Sequence, residues 1–160
     1  SDNYDPRTKT LRLSPDIFRG NSIAAAGVAA HEAGHALQDS EGYFALKIRA
    51  AMVPSVQFGS WLGPIIFIGG LLLNWTSLAW AGVLIFGVTA LFAFVTLPVE
   101  FNASNRAKAW LSTSGIIYQE ESRGVRSVLD AAALTYVAAA IQAISTLLYY
   151  VFLLTGSRRR

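Results

Sequence analysis

Near its N-terminus the chain alternates between polar and apolar positions, as a half-buried β-strand does. Within residues 8–14, Leu11 and Leu13 fall on one face and polar side chains on the other, and this period of two predicts a strand. Asp5-Pro6-Arg7 before it has the residue types of a turn, and Pro15 ends it. The chain therefore opens with a minor β element.

A helix is predicted after a second break at residues 20–22. Asn21 or Ser22 can cap this helix, which we expect over about residues 23–38. Most of its residues are Ala or Gly, which let helix backbones approach closely, as they do in membrane bundles. We therefore expect this helix to be buried against other helices.

Long tracts without Asp, Glu, Lys, Arg or His occupy residues 54–98 and 131–157. Their length indicates membrane spans rather than the buried helices of a water-soluble core. We predict spans at about residues 56–73, 78–97 and 131–154, with an uncharged turn at 74–76. Each span is close to the roughly 20 residues that a bilayer requires. The polar segment 100–130 is predicted to form one or two helices.

Composition agrees with this pattern. Hydrophobic residues make up 53% of the chain and charged residues 14%, against roughly 25% charged residues in soluble domains. The net charge of +3 does not indicate nucleic-acid binding, because the basic residues flank the apolar tracts and form no stripe. The absence of cysteine excludes disulfides and cysteine-ligated zinc.

The segment His31-Glu32-Ala33-Gly34-His35 has the spacing of a metal site. Helix positions i and i+4 share a face, so both imidazoles can bind one ion. Glu32 follows the first imidazole directly, where its carboxylate can accept a proton from water activated by zinc. The chain has two histidines, and both belong to this motif. We predict His31 and His35 as zinc ligands and Glu32 as the general base.

A catalytic zinc usually has three protein ligands, and without another histidine or a cysteine the third must be a carboxylate. Two spans separate His35 from Glu100, so an even number of crossings returns Glu100 to the side of the imidazoles. Glu120 and Glu121 share that side, but their setting is typical of a solvated face. Topology thus favours Glu100. The other candidates are Asp39, Glu41 and Asp130.

The motif, the two spans and the following Glu-Phe-x-Ala resemble the membrane-embedded gluzincins, the group of the CaaX prenyl proteases and HtpX-type proteases. Four stretches carry a closer resemblance: Tyr4-Asp5-Pro6-Arg7, Leu11-Arg12-Leu13-Ser14-Pro15, the stretch from Ala29 to Gln38, and Leu97-Pro98-Val99-Glu100-Phe101. They resemble the bacterial YugP-like neutral zinc metallopeptidases, and this resemblance covers nearly the whole chain.

The resemblance implies a metal-dependent endopeptidase in a bacterial membrane, with a further N-terminal span and linker missing from this sequence. In gluzincins an Asp four residues after the Glu ligand orients a ligand histidine. Ser104 stands there in this chain, and Ser104, Asn102 or Asn105 are the candidates to take its place. The donors considered for the oxyanion, by residue type alone, are Arg106, Tyr43 and Tyr118.

We therefore expect an all-α integral membrane protein with a minor β element, in which a zincin-like helix accompanies three transmembrane helices. A single metallopeptidase domain is predicted over 1–160. Its segments are the strand and motif helix (1–53), a transmembrane hairpin (54–98), a polar helical segment with the third ligand (99–130) and a last transmembrane helix (131–155).

The positive-inside rule predicts the sidedness. Ten of the 13 basic residues lie on the side of the zinc residues, while Arg158, Arg159 and Arg160 lie on the other. This places the active site on the cytoplasmic face of a bacterial inner membrane.

The predicted activity is hydrolysis of peptide bonds in a peptide or protein substrate by a Zn²⁺ centre. The alternatives are an inactive zinc-binding scaffold or adaptor, and a metal transporter. A transporter should carry polar ligands within its spans, and the apolar tracts offer no ionisable side chain except tyrosines. The small-residue faces would also suit association with other membrane proteins or an oligomer. The sequence does not indicate the physiological substrate.

Overall fold

A computed structural model describes residues 1–156, so Arg158–Arg160 of the sidedness prediction lie outside the described residues. The chain is helical apart from one small sheet, which confirms the predicted fold class. Its elements are β1 (Asn3–Asp5), β2 (Thr10–Arg12), α1 (Pro15–Phe18), α2 (Ile23–Ser40), α3 (Phe44–Leu72), α4 (Thr76–Ser114), a 3-10 turn (Gln119–Glu121) and α5 (Ser122–Gly156).

The N-terminal hairpin is more extensive than the sequence pattern indicated. β2 pairs antiparallel with β1, a strand that the pattern did not predict, and Tyr4 stands opposite Leu11. The paired part of the predicted strand is limited to Thr10–Arg12, because Ser14 and Pro15 already lead into the short helix α1. The sheet has two strands, and both are short.

Helix α2 begins as its sequence predicts. The Ser22 side chain accepts a hydrogen bond from the Ala25 N–H at 3.0 Å, which satisfies one of the free donors of the first turn. The helix runs to Ser40, two residues beyond the predicted end. Gly42, with a φ of +70° that suits glycine, leads the chain into α3.

Helices α3, α4 and α5 are long and apolar enough to cross a membrane. The 39 residues of α4 correspond to about 58 Å at 1.5 Å per residue, well beyond the roughly 30 Å of a hydrocarbon core. The polar segment 100–130, predicted as one or two helices, is largely helical but continues the long apolar helices on either side. It consists of the end of α4, the 3-10 turn and the start of α5.

The chain divides into two compact units, and the long helices contribute to both. The first unit comprises residues 1–50 and 96–136, with a core of Ala30, Ala107, Leu111, Val125 and Leu129. The second comprises residues 51–95 and the chain from residue 137 onward. It packs Phe67, Ala79, Val83 and Leu154 together, with the Tyr150 ring stacked 4.2 Å from that of Phe67.

The apolar windows of the long helices are mostly exposed. Only 22% of the window in α3, 28% of that in α4 and 11% of that in α5 is buried within the chain. Leu72, Leu84 and Phe152 are among the exposed large side chains. Exposing this much apolar surface to water is thermodynamically unfavourable, whereas exposing it to lipid is not. The exposure is therefore as expected of membrane spans.

Helices α2 and α4 approach each other closely at Gly34. A Cβ atom placed on Gly34 would lie 2.6 Å from the backbone carbonyl oxygen of Ala103. The backbone of α2 fixes the position of that Cβ, and the carbonyl oxygen belongs to the backbone of α4. The two helices would therefore have to move apart to make room for a side chain. The missing side chain of Gly34 thus sets the spacing between the histidine motif and α4.

We predict that Gly34→Ala lowers the free energy of unfolding by about 1–3 kcal/mol, as overpacking does. Gly27→Ala on the same helix is the matched control, because its Cβ would meet only Val128 Cγ1 at an ordinary 3.8 Å. That variant should be as stable as the parent or slightly more so. Thermal unfolding in detergent compares the two, and equal midpoints would contradict the tight contact.

Candidate metal centre

Helix α2 presents its two imidazoles toward one carboxylate. The ring centroids of His31 and His35 are 4.8 Å apart and the rings are nearly perpendicular. Glu100 Oε2, on α4, lies 2.8 Å from His31 Nε2 and 3.5 Å from His35 Nε2. Residues 69 positions apart in the chain are thus brought together, as the sequence analysis predicted for Glu100.

Glu100 is buried, with only 1% of its surface exposed. A buried carboxylate is tolerated when it is paired, and its second oxygen is engaged by Arg49 at the start of α3: Glu100 Oε1 accepts a hydrogen bond from Arg49 Nη1. Arg49 therefore occupies Oε1 and leaves Oε2 directed at the imidazoles.

The three side chains are suited to a divalent ion. Their ligand atoms all lie within 4.8 Å of one another, and a tetrahedral zinc with bonds of about 2.0–2.1 Å would separate them by about 3.3 Å. The observed 2.8 and 3.5 Å to Glu100 Oε2 fall on either side of that spacing. Two imidazole nitrogens and one carboxylate oxygen are also a donor set that zinc accepts.

The outer nitrogens of both imidazoles are held as well. His31 Nδ1 lies 3.0 Å from Ser104 Oγ, and His35 Nδ1 lies 2.9 Å from Gln38 Oε1. Gln38 Nε2 in turn donates to the Val99 carbonyl and to Asn102 Oδ1. Partners of this kind orient metal-binding imidazoles.

Glu32 differs from Glu100 in having unoccupied acceptor oxygens. Among residues 1–156 it forms no hydrogen bond or ion pair, and it is half-buried. Tyr136, on α5, interacts electrostatically with Glu32, Glu100 and Arg49, so its hydroxyl lies near the same centre. Among the described residues, the carboxylate that directly follows His31 in the motif is therefore unengaged.

The other acidic candidates for the third ligand have partners elsewhere. Asp39 accepts hydrogen bonds from Tyr4 and Lys9. These contacts, that of Lys9 above all, lower the pKa of Asp39, while burial and then the bond to Asp39 raise the pKa of Tyr4 to about 12. The remaining contacts are those of Glu41 with Arg106, Asp130 with Lys108, and Glu121 with the Tyr118 N–H.

Not every residue proposed from the sequence lies near the ligands. Ser104 contacts His31, whereas Asn102 reaches His35 only through Gln38. Arg106 is bound to Asn102 and Glu41 and makes no ion pair with Glu100 within the described chain. Asn105 is exposed.

The tyrosines proposed as oxyanion donors form no hydrogen bond with the ligands among the described residues. Tyr118 is 78% exposed, and no hydrogen bond in residues 1–156 joins the Tyr43 or Tyr118 side chain to the centre.

Sequence reasoning missed Arg49 and Gln38. Arg49 was interpreted as a topology-setting charge before the first span, which its position at the start of an apolar tract favours. Gln38 follows His35 by three positions, and this spacing on a helix would have been the signal for it.

Comparison with known proteins agrees with this geometry. A model of the family described as "Putative neutral zinc metallopeptidase" matches residues 1–155. The chain belongs to this family. It is also 46% identical over 158 residues to the Bacillus subtilis protein named "Putative membrane protease YugP", which covers 99% of this chain and 70% of that protein. No solved structure matches the chain.

Membership of the zinc metallopeptidase family implies zinc, and the described residues offer His31, His35 and Glu100 as a group that can hold it.

We predict that Glu100→Gln abolishes stoichiometric zinc binding, because the neutral amide removes the one anionic ligand from the centre. Asp130→Asn is the matched control, since Asp130 is exposed and paired with Lys108. Metal content of the purified proteins after dialysis, measured by atomic emission, compares them. Zinc retained by Glu100→Gln, or lost equally from both variants, would contradict this ligand set.

Proposed function

We propose that this protein is a zinc-dependent membrane endopeptidase, with His31, His35 and Glu100 as ligands and Glu32 as the general base. The observation that carries the proposal is the convergence of the three ligand atoms within 4.8 Å of one another. Glu32, which adjoins His31 in the motif, supports it because its carboxylate has no hydrogen bond or ion pair among residues 1–156. The family and the name of the similar Bacillus protein support the same class of activity.

The chain's own groups divide the work of hydrolysis. Zinc bound here would polarise the scissile carbonyl and make a water molecule more acidic. Glu32 accepts the proton of the attacking water and later delivers it to the leaving amine, so one water is consumed for each peptide bond cleaved. Glu100 stays ionised and paired with Arg49, and therefore takes no part in proton transfer.

Donors for the developing oxyanion are also present. Arg49 and Tyr136 both interact with Glu100, and we propose that one of them hydrogen-bonds the oxyanion. Arg106, considered from the sequence, is already engaged by Glu41 and Asn102.

An inactive zinc-binding scaffold is the alternative. A purely structural zinc site needs its ligands and their hydrogen-bond partners, but has no use for an extra carboxylate. Glu32 is half-buried and forms no hydrogen bond or ion pair in residues 1–156. Its carboxylate therefore has no polar contact that would stabilise the fold. This favours the enzyme.

We predict that Glu32→Gln retains zinc and loses proteolysis of casein by about 10²- to 10⁴-fold, the usual contribution of a general base. Glu120→Gln, at an exposed carboxylate of the 3-10 turn, should match the parent in both measurements. If Glu32→Gln cleaves like the parent, the assigned base is wrong. If zinc is bound but neither protein cleaves any of a panel of unfolded substrates, the scaffold is the better assignment.

We also propose that the protein resides in the bacterial inner membrane with the centre on its cytoplasmic side. The support is the excess of basic residues in the segments that carry the ligands. Because the chain lacks cysteine, single introduced cysteines can report sidedness without background.

We expect Thr76→Cys, at the exposed start of α4, to react with a membrane-impermeant maleimide on intact spheroplasts. Glu120→Cys should react only after lysis. The cysteine-free parent controls for nonspecific labelling. The opposite pattern would place the centre on the periplasmic side.

A further inference from the structure

We propose that Gln38 is a positioning residue that fixes the tautomer of His35, holding the proton on Nδ1 and the lone pair of Nε2 toward the metal position. This inference rests on the zinc centre proposed above. Gln38 is completely buried, at 0% exposure, and lies three positions after His35 on α2.

The orientation of the Gln38 amide follows from partners whose roles are unambiguous. The Val99 backbone carbonyl, 2.8 Å away, can only accept a hydrogen bond, so the atom facing it must be the NH₂ group. Gln38 Nε2 also donates to Asn102 Oδ1 at 2.9 Å. Both hydrogens of the amide are thereby used.

The orientation of Asn102 is fixed in the same way. Arg106 Nε lies 2.7 Å from Asn102 Oδ1, and a guanidinium can only donate. Asn102 must therefore present its oxygen to both Arg106 and Gln38. The chain of contacts ends near the surface, where Arg106 Nη1 pairs with Glu41 at 2.7 Å.

With its NH₂ group committed, Gln38 can offer only its carbonyl oxygen to His35. Oε1 lies 2.9 Å from His35 Nδ1, so Nδ1 must carry a hydrogen. In a neutral imidazole the other nitrogen then has the lone pair, and His35 Nε2 is the atom that faces Glu100. The buried amide thus selects the tautomer that a metal requires.

His31 has no equivalent constraint. Its outer nitrogen contacts the Ser104 hydroxyl at 3.0 Å, and a hydroxyl can donate or accept. Ser104 can therefore serve either tautomer, whereas Gln38 serves one. The two imidazoles of the motif are consequently held by partners of different kinds.

Removing the amide should weaken zinc binding without removing any ligand. We expect Gln38→Met, which keeps the volume and loses both the acceptor and the donors, to raise the zinc dissociation constant by about 10- to 100-fold. Thr96→Val is the matched control, because Thr96, on α4, is buried as Gln38 is, and its hydroxyl has no hydrogen-bond partner among residues 1–156. It should bind zinc like the parent. Competition with a chromophoric chelator measures the constants.

A second pair of variants, at Asn102, tests the same series of hydrogen bonds without changing Gln38. Asn102→Asp keeps an oxygen acceptor for Gln38 and Arg106 and should retain zinc affinity within about threefold. Asn102→Leu removes the side-chain acceptor of the Gln38 NH₂ group, leaves the Val99 carbonyl as its one remaining acceptor, and should weaken zinc binding because the amide is then held by a single hydrogen bond. If Gln38→Met does not fold, the zinc dissociation constants of the two Asn102 variants test the proposal without it.

Nuclear magnetic resonance of zinc-loaded protein labelled with ¹⁵N-histidine provides a readout that general packing would not change. Because the chain has two histidines, their ring N–H signals can be assigned in the parent from through-space contacts with neighbouring protons, before any variant is compared. Gln38→Met should remove the exchange-protected signal of His35 and leave that of His31, while Ser104→Ala should do the reverse.

The proposal is overturned if Gln38→Met folds and binds zinc within twofold of the parent, or if Thr96→Val loses as much affinity. Equal affinities for Asn102→Asp and Asn102→Leu would also overturn it. Failure of the parent to bind zinc would instead refute the proposed function, so the two failures are distinguishable.

Discussion

The structure of the centre depends on a single buried carboxylate. Glu100 is 1% exposed, and an ionised group in that position is costly unless charged or hydrogen-bonding partners surround it. Two imidazoles on α2 face one of its oxygens and Arg49 on α3 engages the other. Three helices therefore meet at one side chain. Displacing any of these helices would leave the buried charge of Glu100 without one of its partners, so the arrangement constrains their mutual positions.

Such an ionic contact is possible only because the backbones come close enough. At Gly34 the space for a side chain is already filled by the Ala103 carbonyl, and the small residues around the motif keep α2 near α4. Polar side chains then occupy the remaining positions of that contact, with Gln38 at 0% and Ser104 at 4% exposure. Each has a partner, as buried polar groups require. Tight backbone approach and complete hydrogen bonding are thus two aspects of the same interface.

The sequence was sufficient to predict the features that depend on the spacing of residues along a helix or on the number of membrane spans. The cap at Ser22 and the pattern that follows it predicted α2 to within two residues of its end. Counting spans, together with the solvated setting of Glu120 and Glu121, favoured Glu100, which the structure brings close to both imidazoles. Features that depend on tertiary contact were missed. Arg49 has the sequence context of a charge at a membrane boundary, and only the fold shows that it reaches Glu100. Arg106 has a suitable side chain for an oxyanion donor, but its helix position directs it to Glu41 and Asn102. β1 was too short to produce a recognisable alternation.

The two glutamates of the centre illustrate how environment can separate chemical roles. Glu100 has both oxygens engaged, by imidazoles on one and a guanidinium on the other, so protonation would cost it those contacts. Glu32 has neither oxygen bonded within the described residues and is only half-buried, so gaining or losing a proton would disturb little of the surrounding structure. A hydrolase needs one carboxylate that holds a metal and another that carries a proton. In the hydrolase that we propose, neighbouring charges and packing supply that difference, although both side chains are chemically the same.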